Sequence, residues 1–213
     1  MKSISDIRKE YLLSTLDEKT INKNPIEQFK KWMNESLECS VLEPTAMTLS
    51  TVSKQGRPTS RVVLLKEIDG NNFVFYTNLQ SSKGKEMLEN PYCCLNFFWP
   101  ELERQVRIEG KAKVIADEKS NVYFKSRPRE SQIGAWVSNQ SSKIADRLTL
   151  ENKFKETEKK FHAQSEINKP EQWGGFEVSP FKIEFWQGRQ SRLHDRILFT
   201  QVNKSWEICR LAP

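Results

Sequence analysis

The sequence predicts an antiparallel β-barrel with peripheral helices, an α+β arrangement. Three observations carry this expectation. Five β-rich runs, 47–53, 59–68, 73–77, 92–99 and 104–115, follow one another with only turns or one short helical stretch between them. Consecutive strands joined this way make meanders or Greek keys rather than βαβ units. Two further β-rich runs, 175–186 and 193–208, return the chain to the sheet after helical segments. Finally, the eight glycines include no Gly-x-Gly pair and none is followed by Lys-Ser/Thr, so a Rossmann fingerprint and a Walker loop are both absent. A phosphorylated ligand, if there is one, has to be held by side chains on a β scaffold.

The elements follow in order. Residues 1–23 are polar and weakly periodic, and are read as an N-terminal arm or edge helix, mobile in part. Asn24-Pro25-Ile26-Glu27 reads as a helix start: Asn24 caps, Pro25 suits the first helical position and Glu27 reaches back as in a capping box. Ile26, Phe29, Met33 and Leu37 then mark one buried face. The strands are punctuated by 54–58, by Asp69-Gly70-Asn71-Asn72, by a helical stretch at 83–89 and by Pro100. Residues 117–126 and 142–161 read as helices, the second so charged that most of it faces water. No repeat or linker divides residues 24–213, which are read as one domain.

Composition narrows the class. The 213 residues carry 34 Lys plus Arg against 28 Asp plus Glu, a net charge of +6, and 12 Phe and 6 Trp supply bulky apolar groups to bury. No apolar run approaches the roughly 18 residues a membrane span requires, and the N-terminus lacks a secretion-signal segment. Cys39, Cys93, Cys94 and Cys209 form no Cys-x-x-Cys pair, and two histidines complete no zinc spacing. The expectation is a cytoplasmic protein with reduced thiols and no metal.

Four stretches could carry chemistry. In Arg61-Val62-Val63-Leu64-Leu65-Lys66 a cation stands at each end of an apolar run. Positions five apart on a regular strand face opposite ways, so the two would serve different anions, or simply reach water. Tyr123 and Arg127 share a helical face, Pro128 ends that helix, and the turn can bring Ser131 to the same place. Phenol, guanidinium and hydroxyl suit a phosphate monoester, although a solvated basic helix end would use the same residues. Gln140-Ser141-Ser142 precedes the charged helix, as an anion site at its N-terminus or as an ordinary cap. Last comes Trp186-Gln-Gly-Arg189-Gln-Ser-Arg192-Leu193-His194-Asp195-Arg196. If extended, it sets Arg192, His194 and Arg196 on one face, where they repel unless an anion or an electron-rich ring sits before them.

Together these stretches indicate a barrel that binds one or two phosphorylated, aromatic ligands. Two other classes stay open on the residues alone. One is an oligonucleotide-binding barrel, against which the aromatics fall inside apolar runs instead of alternating with Lys and Arg. The other is a flavin- or ligand-storage protein in which the His194 cluster does no chemistry.

At these motifs the chain resembles the pyridoxine (pyridoxamine) 5′-phosphate oxidase family. The stretches that carry the resemblance are Glu43-Pro-Thr-Ala-Met47, Arg61-Val-Val-Leu-Leu-Lys66, Phe75-Tyr-Thr-Asn78, Glu103-Arg-Gln-Val106 and Ser126-Arg-Pro-Arg-Glu-Ser-Gln-Ile-Gly-Ala135. Further along come Gln140-Ser-Ser142, Trp173-Gly-Gly175, Glu184-Phe-Trp-Gln-Gly188, Arg192-Leu-His-Asp-Arg196 and Arg210-Leu-Ala-Pro213. The resemblance runs from about Arg8 to the last residue. It implies an FMN-binding split β-barrel, a homodimer with FMN at the subunit interface and no nucleic-acid or membrane partner. The implied reaction oxidises pyridoxamine 5′-phosphate or pyridoxine 5′-phosphate to pyridoxal 5′-phosphate, with dioxygen as acceptor and hydrogen peroxide as product.

Residue roles follow from the same resemblance. Arg61, Val62, Val63, Lys66, Tyr76, Thr77, Lys83, Gln105, Gln140, Ser141, Trp186 and Arg196 match FMN contacts. Lys66, Tyr123, Arg127 and Ser131 match the holders of the substrate phosphate. Arg192 and His194 match catalytic positions over the substrate ring, His194 as orienter or proton acceptor, and Arg8 and Tyr11 match a pair that closes over the site. The chain departs from the family pattern at Ser82, where an Arg usually contacts the FMN phosphate, with Lys85 as a substitute nearby. It also has Glu43 where Asp is usual.

Overall fold

The structure is a computed structural model that describes residues 3–7 and 10–213. Among the described residues nine strands form one sheet in which every pairing is antiparallel: β1 (Ala46–Val52), β2 (Pro58–Leu64), β3 (Glu67–Asp69), β4 (Asn72–Asn78), β5 (Tyr92–Trp99), β6 (Arg104–Val114), β7 (Trp173–Gln187), β8 (Asp195–Val202) and β9 (Ser205–Leu211). Their order is β2-β1-β5-β6-β7-β4-β3, with β8 and β9 leaving the path at β7. The 15-residue β7 makes this fork possible. Residues 173–178 pair with β4, and 182–187 pair with β8, while β6 runs along its other edge. At the fork the β6–β7 register shifts between Glu109, opposite Lys182, and Gly110, opposite Pro180, so that Phe181 is an extra residue on β7. A Cβ on Gly110 would lie 2.6 Å from Val178 Cγ1 and 2.7 Å from the Ser179 carbonyl, so glycine lets the strands meet there.

The inner face is aromatic. Phe73, Phe75, Phe97, Phe185 and Phe199 are fully buried with Leu49, Leu95, Val106, Ile108, Ile183 and Ile197. Helix α1 (Pro25–Glu38) closes this core, with Phe29 edge-on to Phe73 at 5.0 Å and to Phe97 at 4.9 Å. Its start is the expected one: Asn24 accepts from the Ile26 and Glu27 amides, and Pro25 opens the helix. Glu27 pairs with Lys30 rather than reaching back to the cap. Its buried face continues through Trp32 and Ser36, and Leu37 is exposed.

A second apolar cluster joins α3 (Asp117–Ser126), α4 (Arg129–Val137) and α5 (Arg147–Phe161) to the start of β7 through Phe124, Ile133, Phe161 and Trp173. The sequence reading has no counterpart of α4, and it starts α5 too early. Asp146 caps α5 by accepting from the Thr149 amide. The stretch 193–208 divides into β8 and β9 at Asn203 and Lys204, both with positive φ, which is the geometry of a tight hairpin turn. Helix α2 (Ser82–Glu89) lies where a helical stretch is expected, with Ser81 as its cap. Among the described residues no helix is long and apolar enough to cross a membrane.

From Tyr11 onward the N-terminal segment lies against the end of the barrel. Glu103 accepts from the Leu12 and Leu13 amides at 2.8 and 3.0 Å, and Leu16 and Ile21 are buried.

Candidate active site

A cavity of about 730 Å³ opens between β2, β4, α2, α3 and α4. Its lining includes Arg61, Lys66, Lys83 and Arg127 and, among the described residues, no carboxylate. Both ends of the Arg61–Lys66 run therefore face one space, contrary to the opposite-face expectation. Strand alternation holds only while the strand continues. Pairing with β1 ends at Leu64, the Leu65 amide turns to the Thr45 carbonyl, and the Lys66 amide goes to Val74 on β4.

Each cation is held differently. Arg61 donates to Thr51 at 2.5 Å, to Thr59 at 2.6 Å and to Glu86 at 3.3 Å, and both threonines also donate to Glu86. Lys83, in the first turn of α2, is buried. Its ammonium donates to Gln140 Oε1 at 2.8 Å, Thr77 Oγ1 at 3.2 Å and Ser81 Oγ at 3.3 Å, all neutral acceptors. Burial, and then the charge of Arg61, pushes the Lys83 pKa down. Gln140 also accepts from Thr77.

Arg127 leaves the end of α3 and stacks over Trp173 at 5.0 Å and Phe124 at 5.5 Å. Its Nη1 is the one buried side-chain nitrogen or oxygen without a partner among the described residues, and burial lowers its pKa. Tyr123, Arg127 and Ser131 line the same wall, as the Pro128 turn suggests, with Ser131 in the first turn of α4. Tyr76 stacks on Tyr123 at 4.0 Å and on Trp173 at 5.4 Å, and burial raises the pKa of both phenols, which keeps them protonated. Val62, Val63 and Thr77 also line it.

Gln140 and Ser141 lie in the loop after α4 rather than at a helix start. The Ser141 backbone has φ 71°, and its hydroxyl accepts from the Ser82 amide at 3.3 Å. An adjoining polar pocket of about 310 Å³ is lined by Ser82, Lys85, Gln140 and Ser141, so Lys85 stands on the same side as the Ser82 departure.

A second cavity of about 450 Å³ is lined by Ile7, Glu10, Tyr11, Trp186, Arg189, Ser191, Arg192 and His194. The shared-face expectation for Arg192, His194 and Arg196 fails here. Ser191 and Arg192 have φ of 55° and 61° in a 3-10 turn (Gln190–Arg192), and β8 begins only at Asp195. Arg196 turns to Glu184 at 2.7 Å and to the Ala212 carbonyl at 2.9 Å. The same Glu184 takes Arg107 at 2.6 Å.

His194 Nδ1 accepts the Arg189 amide at 3.1 Å, which leaves the proton of the neutral ring on Nε2. Burial, and then Arg192, lowers its pKa, so the ring is neutral and presents an N–H donor to the cavity. That geometry suits orienting a ligand better than accepting a proton at Nε2. Tyr11 meets His194 and Trp186 edge-on, both at 5.6 Å. A Cβ on Gly188 would come within 2.7 Å of the Tyr11 ring, so this glycine admits the tyrosine.

Gln105, Trp186 and Arg196 are register neighbours across β6, β7 and β8, and none of them lines the large cavity. The predicted site residues therefore fall into two groups within one chain. Arg8 lies outside the described residues. Glu43, with φ 54°, lines neither cavity, and its carbonyl accepts the Ala46 amide. The sequence reading lacks Glu86, Thr51 and Thr59 behind Arg61, although Glu86 follows Lys83 by three residues on a short helix, a readable spacing.

Residues 33–161 match the family described as pyridoxamine 5′-phosphate oxidase, and 173–213 match the pyridoxine 5′-phosphate oxidase C-terminal dimerisation region. The chain belongs to this oxidase family. A pyridoxine/pyridoxamine 5′-phosphate oxidase of Trichormus variabilis is 50% identical over 213 residues, covering 100% of this chain and 99% of the relative. One from Leptospira interrogans is 52% identical, over 99% of this chain and 98% of its own. Among solved structures, PhzG from Burkholderia lata 383, in complex with tetrahydrophenazine-1-carboxylic acid, aligns with a TM-score of 0.88 at 26% identity, covering 94% of this chain and 99% of that one. A pyridoxamine 5′-phosphate oxidase-related, FMN-binding protein of Nostoc punctiforme shares the fold, with a TM-score of 0.70 at 15% identity over 87% of this chain and 97% of that one. The split barrel, the enzyme class and the presence of the dimerisation region thus agree with the sequence reading.

Proposed function

We propose that the chain is an FMN-dependent oxidase that converts pyridoxamine 5′-phosphate or pyridoxine 5′-phosphate to pyridoxal 5′-phosphate, with dioxygen as acceptor and hydrogen peroxide as product. The observation that carries this reading is the uncompensated charge of the large cavity. Among the described residues four cations line it and only Arg61 has a carboxylate, Glu86, behind it; one ammonium is buried on neutral acceptors alone, and one guanidinium nitrogen is buried without a partner. Burying an unpaired charge costs several kcal/mol, so a cavity built this way is complementary to anions. Two phosphates of opposite ends fit it: one for Arg61 and Lys83 at the α2 end, one for Arg127, Lys66, Tyr123 and Ser131 at the α3–α4 turn. That donor set suits FMN and a phosphorylated pyridine together.

Bound FMN supplies the hydride acceptor and the route for electrons to dioxygen. The protein's own work is positioning. Lys83 and Arg61 fix the cofactor phosphate, with Glu86, Thr51 and Thr59 holding the Arg61 guanidinium in place. Tyr76, Thr77, Val62, Val63, Gln140 and Ser141 shape the cofactor's bed. Arg127 and Lys66 hold the substrate phosphate in a bidentate and a point-charge manner, respectively. Arg192 orients the substrate, and the Nε2–H of His194 donates to its ring substituents. Glu184 keeps Arg196 and Arg107 fixed, so that Arg196 stands as a constant positive charge beside Trp186 and Gln105.

One chain holds these groups in two separate cavities. The reading therefore includes a homodimer in which the His194 pocket of one subunit, with Gln105, Trp186, Arg196 and Tyr11, faces the phosphate cavity of the other. The dimerisation region at 173–213 contains Trp186, Arg192, His194 and Arg196.

The test is the visible spectrum of the FMN-loaded protein before and after anaerobic addition of pyridoxamine 5′-phosphate. Bleaching of the flavin bands, restored by air, is the expected result. A flavin spectrum that stays unchanged with both the amine and the alcohol would contradict the assignment and favour a storage protein.

A further inference from the structure

We infer that Asp195, together with Arg210, is a positioning residue for the reaction: the pair clamps the N-terminal arm and the His194 turn into one frame, and so sets where Tyr11 and His194 stand. The inference deepens the proposed function, since it concerns the same site.

The Asp195 carboxylate, with a side chain only 13% exposed, accepts from three parts of the chain. The Leu16 amide donates to Oδ2 at 3.0 Å, Arg189 Nη1 to Oδ2 at 2.8 Å, and Arg210 Nη1 to Oδ1 at 2.7 Å. Burial alone would raise its pKa, yet the bonds from Leu16, Arg210 and Arg189 outweigh this and hold the carboxyl below its ordinary range.

Arg210 completes the grip from the other side. Its Nη2 donates to the Leu16 carbonyl at 3.1 Å, and its Nε to Glu18 at 2.9 Å. The Leu16 residue is therefore held at both its N–H and its C=O by side chains of one ion pair, as a β-strand would hold it with backbone. This accounts for the arginine of the terminal Arg210-Leu-Ala-Pro213 motif, to which the reaction itself assigns no work. The Ala212 carbonyl accepts from Arg196 in the same corner.

Two routes lead from this clamp to the cavity. Through the arm, Leu16 fixes the segment that carries Tyr11, whose ring packs on His194 and Trp186. Through the turn, Asp195 holds the Arg189 side chain, and the Arg189 amide holds His194 Nδ1. An exposed ion pair contributes little, but this carboxylate is largely desolvated and serves three donors, so losing its charge weakens the hold on the Leu16 amide and on both arginines at once.

The experiment compares Asp195→Asn, Arg210→Gln and the double variant in the FMN-loaded full chain. Each single change is expected to raise the KM for pyridoxamine 5′-phosphate about tenfold, the equivalent of one lost charge-assisted bond, with the FMN Kd within about twofold. The double variant is expected to be no worse than the more severe single one, because the two groups act as a unit. Asp195→Glu, which keeps the charge, is expected to recover part of the loss. Hydrogen exchange supplies a readout that needs no substrate. The amides of Leu12, Leu13 and Leu16 should exchange at least about tenfold faster in both single variants, while core amides such as those of Leu95 and Ile183 stay protected. Unchanged arm exchange, additive KM effects, or an equal loss of FMN would overturn the clamp. Because exchange is read without turnover, failure of the substrate assignment and failure of the clamp give different results.

Discussion

The two cavities treat charge in opposite ways. Among the described residues of the His194 region the arginines other than Arg192 are answered by carboxylates: Arg189 and Arg210 by Asp195, Arg196 and Arg107 by Glu184, and Arg104 by Glu35. In the phosphate cavity one carboxylate, Glu86, stands behind Arg61, whereas among the described residues the buried Lys83 ammonium bonds only neutral acceptors and the buried Nη1 of Arg127 has no partner. A compensated region is a rigid frame that presents selected groups, here Arg192 and the His194 N–H. An uncompensated region is complete only when anions enter it. Under the proposed function, the first region would orient and the second bind, and one chain keeps these tasks apart.

The largest expected effect comes from the group the frame leaves unpaired. Arg192→Ala should lower turnover by about 100-fold or more, the scale of a lost positioning contact, and leave FMN affinity within about twofold. Stopped-flow flavin reduction beside a fluorescence titration of FMN measures both. Equal losses would erase the division between orienting and binding.

Next come Lys83 and Arg127. Lys83→Met should weaken FMN binding by about 10- to 100-fold, the worth of a charged hydrogen bond, whereas Arg127→Met should raise the substrate KM by a similar factor and spare FMN. If both variants lose the same ligand, the cavity does not hold two distinct phosphates.

A pH effect sharpens the same point. Lys83 has its pKa lowered in the empty protein, so rising pH removes its proton before that of an ordinary lysine, and a phosphate dianion favours the protonated form. FMN affinity should therefore fall on the alkaline side, at a pH below the ordinary lysine range, and this limb should vanish in Lys83→Met. His194 works in the opposite direction. Its lowered pKa means that protonation, which abolishes the Nδ1 acceptor, begins only below the ordinary histidine range. The acid limb of turnover assigned to it should lie there and disappear in His194→Asn.

The smallest effect is expected at Ser82. Ser82→Arg should tighten FMN binding by up to about tenfold, and Lys85→Met should weaken it by a similar or smaller factor in the wild-type background only. If Lys85→Met matters equally in the Ser82→Arg protein, Lys85 is not standing in for the missing arginine.

How much of this was legible depends on the range of the interaction involved. Local signals read correctly: the Asn24 cap, the strands apart from the runs 59–68 and 193–208, each of which divides in two, and the convergence of Tyr123, Arg127 and Ser131 through Pro128. Rules that assume regular backbone failed where the backbone changes. Arg61 and Lys66 face one cavity because the chain switches strand partners at Leu64, and Arg192 leaves the face of Arg196 because Ser191 and Arg192 are left-handed. Helix α4 escaped notice because its nine residues include Gly134 and are too few to show a helical period. The Glu103 grip on Leu12 and Leu13 spans about ninety residues, and no local pattern could have announced it. Nor could spacing show that Gln105, Trp186 and Arg196 stand apart from Lys83, since that division exists only once the sheet forks at β7.

The division is tested most directly by subunit complementation. Arg127→Met, defective in the phosphate cavity, and Arg192→Ala, defective in the orienting pocket, are unfolded together, refolded as a mixture and assayed with pyridoxamine 5′-phosphate. If each site combines one cavity from each subunit, random pairing gives half mixed dimers with one intact site apiece, and about a quarter of wild-type activity returns. Mixed dimers that form and show only the residual activity of the two variants would contradict the account.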